Sequence, residues 1–62
     1  MNDNERYITT NQVAALTTLS RATIHRKVRA GELPQPIRIS ERRTVFRESL
    51  IREWMAAKEL AA

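Results

Sequence analysis

Six consecutive residues near the middle, Gly31-Glu32-Leu33-Pro34-Gln35-Pro36, constrain the fold more than any other feature of the chain. Each proline lacks a backbone donor and holds the residue before it in extended geometry, so no helix runs through this stretch. Gly31, just upstream, suits the left-handed position that follows a helix end. The sequence therefore divides into a helical front, a non-helical centre and a separate final element. A chain of only 62 residues buries about 60% of the surface its unfolded form exposes. One small domain over residues 1–62, with a simple core, is expected. No cysteine is present to staple it, which also removes thiolate metal sites.

Ahead of the break, Tyr7 to Thr9 reads as a short extended piece. Thr9 or Thr10 can cap a helix with Asn11 and Gln12 in its first turn. Val13 and Leu16 lie three apart on its apolar stripe, and Ala14 is small enough for close approach. Thr17 and Thr18 end this helix after about two turns, and Leu19 is expected as a buried plug. Ser20 then caps a second helix, predicted over residues 21–30, on which Ile24 and Val28 form a narrow apolar stripe. Residues 1–6 are polar, do not resemble a signal peptide and are expected to be a loose start.

Beyond the break, Ile37 and Ile39 alternate with Arg38 and Ser40, which predicts a two-faced strand with arginine outward. Glu41 to Thr44 reads as a turn and Thr44 to Arg47 as the returning strand, so residues 37–47 form a small hairpin. The turn has no Asn-Gly or Asp-Gly signal to set its register. A last helix is predicted over 48–60, packing through Leu50, Ile51 and Trp54 with Met55 at the margin. Glu48 and Arg52 make a favourable i, i+4 pair on it. The fold class is mainly α with a small β-hairpin, the plan of a winged helix-turn-helix.

The charge is unevenly spread. From Ser20 to Arg47 there are eight basic residues against two acids, a balance of +6, while the rest stands at −2 within a net charge of +4. Charge polarised in this way points to a polyanionic partner. Seven of the eight central bases are arginine, whose forked donors match phosphate and guanine better than lysine does. A basic helix can also be merely a solvated one, and Lys27 and Arg29 do suit the helix dipole at its C-terminus. That explanation covers two charges and leaves Arg21 and Arg26. At about 100° per residue, Arg26 points away from the Ile24/Val28 stripe, with Ala22, Thr23 and Arg29 near it and Arg21, His25 and Lys27 at the flanks.

Other functions find little support. His25 is the one histidine and the carboxylates are not clustered, so neither a metal site nor a cofactor is expected. No nucleophile–base pair stands at a catalytic spacing, so the chain does not read as an enzyme. No apolar run approaches the roughly 20 residues that cross a bilayer, and the expected location is the cytoplasm, at the nucleoid when bound. Tyr7 alone offers single-stranded RNA no stacking platform.

The stretch from Ile8 to Met55, "ITTNQVAALTTLSRATIHRKVRAGELPQPIRISERRTVFRESLIREWM", resembles the AlpA-like regulators and excisionases of prophages and genomic islands, small relatives of the MerR-type winged helix-turn-helix. The positions that carry the likeness are Leu19, Ser20, Arg21, Thr23, Ile24, Arg26, Gly31, Pro34, Pro36, Arg38, Arg47 and Trp54. The Ser-Arg-x-Thr-Ile block together with Gly-x-x-Pro-x-Pro makes the match fairly specific. Thr18 stands where that family often has glycine, so the turn is expected to be tight or slightly strained. His25 stands for a common tyrosine, Leu33 for an aromatic and Phe46 for a tryptophan, and the wing lacks its usual glycine.

The resemblance implies a sequence-specific binder of double-stranded DNA, acting as an excisionase (a recombination directionality factor), a transcriptional regulator, or both. Ser20, Arg21, Thr23, His25, Arg26 and Arg29 are the candidate contacts of the recognition helix. Arg38, Arg42 and Arg43 are those of the wing. Expected partners are DNA, a phage-type integrase and neighbouring copies of the chain on direct repeats, with no membrane. In that arrangement Arg42 or Arg43 of one copy pairs with Glu53 or Glu59 of the next. The alternative is a protein-binding module of antirepressor type that uses the same basic face.

Overall fold

The computed structural model describes residues 5–61. Its elements are β1 (Tyr7–Thr9), α1 (Thr10–Thr17), α2 (Arg21–Arg29), β2 (Ile37–Arg38), β3 (Thr44–Arg47) and α3 (Glu48–Ala61). Thr9 rather than Thr10 is the cap of α1. Its Oγ1 accepts from the Gln12 backbone N–H, and the Gln12 side chain accepts from the Thr9 N–H, at 3.2 and 2.8 Å. This reciprocal box satisfies two donors that the first turn would leave unpaired.

Both helices of the front half end on a left-handed residue, but with different chemistry. After α2 it is Gly31, at φ 77°, where the absent Cβ makes the conformation easy. After α1 it is Thr18, at φ 62°, and a β-branched residue in that region is strained. The expected strain at this turn is present. It is held by hydrogen bonds: the Thr18 N–H donates to the Ala14 carbonyl at 2.8 Å, and Thr17 Oγ1 donates to the Val13 carbonyl at 2.8 Å.

The extended piece at the start is a strand of a sheet. The order is β1-β3-β2, antiparallel throughout, so the expected hairpin is two strands of three. Ile8 lies opposite Phe46 and Thr9 opposite Val45, while Ile37 lies opposite Val45 and Arg38 opposite Thr44. Ile8 and Phe46 share one face and join Val13, Ile24, Leu33 and Ile51 in the core. Leu19, Val28, Trp54 and Met55 pack around them, half-buried. Three helices and a small three-stranded sheet make this a winged helix-turn-helix.

Four details depart from expectation. Arg38 pairs with Thr44 and so lies on the sheet face of Phe46 and Ile8, towards the helices. The isoleucines take the opposite face, that of Val45, whose side chain is buried, while Ile37 and Ile39 at the edge are 36% and 56% exposed. The reason is that β2 is a two-residue edge strand lying past the core, so burial does not select its inner face. The turn begins one residue earlier than read, since the Arg43 N–H donates to the Ser40 carbonyl, while the returning strand keeps its expected bounds, Thr44–Arg47. Leu50 is 38% exposed. The packing stripe of α3 is Ile51, Trp54 and Met55, and a residue one position before Ile51 lies about 100° round the helix from it.

The start of the chain is also tied down. The Glu48 N–H donates to the Arg6 carbonyl at 2.8 Å, and Ser49 Oγ donates to the Glu5 carboxylate at 3.0 Å. A carboxylate at a helix N-terminus is favoured by the dipole. The loose start therefore does not extend to Glu5 and Arg6, and residues 1–4 lie outside the described residues.

Candidate nucleic-acid interface

α2 is positioned by three fixings. Ser20 caps its start, accepting from the Thr23 N–H at 3.1 Å. Ile24, 1% exposed, pins its inner face to the core. At its end, Gln35 Nε2 donates at 2.9 Å to the Val28 carbonyl, which also accepts from the Gly31 N–H at 3.1 Å, and Trp54 Nε1 donates to the Glu32 carbonyl at 2.7 Å. The second bond ties α3 to the chain just past Gly31, which is why the proline segment leaves α2 in one direction. Leu33, 2% exposed, locks the same segment into the core.

On the outward surface of this rigid helix the expected residues separate into two sides. Arg21 and His25, one turn apart and both exposed, face the hairpin across a cleft of about 370 Å³. Arg42, Arg43 and Thr44 line it from the hairpin, and Thr9, Thr10 and Asn11 line it from the start of α1. Arg42 is central in the tight turn between Ser40 and Arg43. On the other side of α2, Thr23, Arg26 and Lys27 line a shallower recess with Ala30 and Glu32. Arg29 is exposed in the last turn and lines neither. Arg38 is exposed on β2, outside the cleft lining, although its sheet face is that of Thr44.

The charges on this surface are largely uncompensated. Lys27 pairs with Glu32 at 3.4 Å. Among the described residues no other basic group of α2 or the hairpin has an acidic partner. Guanidinium groups gathered in this way raise the local positive potential, a cost in self-repulsion that an anionic partner relieves. Among the described residues no group of three potential metal ligands occurs, and no helix is long and apolar enough to cross a membrane.

Thr10, Asn11 and Thr44 were not among the residues expected here. They carry no charge and interrupt no pattern, and only the pairing of β1 with β3 brings the start of α1 beside the hairpin. Their hydroxyl and amide groups are competent hydrogen-bond partners for phosphate oxygens.

The likeness noted in the sequence is matched by an independent comparison. The family model described as prophage CP4-57 regulatory protein (AlpA) matches residues 6–60. No curated protein and no solved structure matches the chain. The match runs from β1 to the last turns of α3, taking in the turn, α2 and the wing. With that span covered, and with a winged helix-turn-helix presenting an arginine-rich face, the chain belongs to the AlpA family of phage-type regulatory DNA-binding proteins.

Proposed function

We propose that the chain binds duplex DNA sequence-specifically, with α2 in the major groove and the hairpin on the adjacent backbone. The observation that carries this reading is the cleft in which Arg21 and His25 of α2 face Arg42 and Arg43 of the wing. A phosphate strand lying in it meets donors from both walls, while Arg26 and Arg29 remain free for base edges. At the start of α2, where Ser20 is the cap, the first N–H groups of the helix add to the backbone contacts. Arg38 extends the wing's basic edge.

On this reading the protein acts architecturally, as an excisionase, a transcriptional regulator or both. Several copies on neighbouring direct repeats bend the DNA, so that a phage-type integrase can assemble for excision. Bending a site costs about 1–6 kcal/mol, a cost that adjacent copies share. One module of this size covers only about 600–1,000 Å², which favours repeated sites over a single one. Glu53 and Glu59 on α3 are exposed and available to Arg42 or Arg43 of a neighbour.

The test is binding to duplex DNA across a salt series, followed by footprinting on one, two and three repeats. About six phosphate contacts give a slope of log affinity against log salt near −5. A slope near zero favours the protein-binding alternative, and an inverted-repeat footprint rules out the side-by-side arrangement.

A further inference from the structure

Thr23 differs from the other outward residues of α2 because its hydroxyl is already engaged. Ser20 Oγ, the helix cap, also donates to Thr23 Oγ1 at 3.0 Å. Arg26 Nη2 donates to the same Thr23 oxygen at 3.1 Å. The three residues stand at successive i, i+3 steps on one side of α2, so the chain of hydrogen bonds begins at the cap and ends on a guanidinium. Thr23 itself is half-buried, which limits its reach towards a partner.

An exposed arginine has many rotamers, and binding must freeze them. A side chain held in place beforehand loses less freedom at that step. The bond to Thr23 uses one of the five guanidinium N–H donors, and four remain, enough for a two-pronged contact with guanine.

We infer that Thr23 is a positioning residue: its hydroxyl, fixed by Ser20, holds the Arg26 guanidinium in the orientation from which it reads a guanine. This rests on the proposed reading of DNA by α2. It differs from a direct role for Thr23, in which the methyl group meets a thymine or the hydroxyl meets a phosphate.

The hydroxyl and the methyl are separable by substitution. Thr23→Val keeps the shape and removes the hydroxyl, whereas Thr23→Ser keeps the hydroxyl and removes the methyl. Both retain the backbone N–H that Ser20 caps, and circular dichroism melts check that the fold survives. Affinities are measured on the cognate duplex, on random DNA and on duplexes changed at the base pair where Arg26→Ala loses discrimination. Thr23→Val is expected to lose discrimination at that pair by about 2- to 10-fold, the scale of one hydrogen bond, with the salt slope unchanged. Thr23→Ser is expected to retain it. The reverse pattern means a thymine-methyl contact, and equal weakening on every duplex means a phosphate contact. No change in either variant means that Arg26 needs no support. Each of these three results overturns the inference. Failure of the underlying DNA reading looks different: Arg26→Ala then leaves discrimination unaltered at every pair, and the inference falls with it.

Discussion

α2 and α3 each bury a single residue fully, Ile24 in one and Ile51 in the other, yet they treat their remaining charges differently. On α3, Arg52 is paired with Glu48 at 3.1 Å and the Lys58 ammonium lies 5.5 Å from the centre of the Trp54 ring. On α2, Arg21, Arg26 and Arg29 have no acidic partner among the described residues. Both helices are amphipathic and exposed, so hydrophobic patterning does not tell a strut from a binding element here. The distinction lies in whether charge is neutralised within the chain or left for a partner.

The comparison is sharpest where one helix is damaged and the other is not. Ile51 is fully buried, and Ile51→Ala should cost about 2–5 kcal/mol through lost contacts and the cavity left behind. For a chain this small that is much of its stability. Urea melts should show the loss, with DNA affinity falling only as the folded fraction falls.

Arg26→Ala should leave those melts nearly unchanged while costing about 1–3 kcal/mol in cognate binding and relaxing one base position. Arg42→Ala should instead weaken cognate and random DNA alike and reduce the salt slope by about one. Identical specificity profiles for the two arginine variants would break the division between reader and wing.

Trp54→Phe tests the bond that ties α3 to the chain just past the end of α2. It removes the Nε1–H donor to Glu32 and should destabilise by about 0.5–1.5 kcal/mol. If the end of α2 depends on that bond, amide exchange near Gly31 should quicken more than exchange near Thr18. The smallest effect is expected at Thr18. Thr18→Gly relieves a left-handed threonine at about 1–2 kcal/mol and adds unfolded-state entropy at about 0.5–1 kcal/mol. The net gain in stability should be about 0.5–1 kcal/mol, read from thermal melts. A loss would mean that the threonine side chain contributes more to the turn than its backbone strain removes.

Much of this architecture was legible locally. Ser20 reads as a cap and is one. Gly31 reads as a left-handed terminator and is one. The prolines end the helical half, and Ile24 lies where its spacing to Val28 puts it, in the core. These features depend on interactions within one helical turn, and the residues involved are neighbours in sequence. Leu50 was misread because Leu, Ile and Trp at 50, 51 and 54 fit two helical faces equally well. Only the position of the sheet and α2 selects the face of Ile51, Trp54 and Met55.

What the amino-acid order determined by itself was the succession of elements, their caps and the concentration of arginine between Ser20 and Arg47. What tertiary structure decided was which of those arginines meet. Ile8 pairs with Phe46 from opposite halves of the chain, and that pairing sets the start of α1 beside the hairpin and lines the cleft with Thr10 and Asn11. It also leaves β2 at the edge, with Ile37 and Ile39 on the face of Val45 and Arg38 on the helix side. No local rule reaches that far. Hydrogen bonding and side-chain spacing act over a few residues, whereas strand pairing between distant segments is chosen by the burial of the whole core.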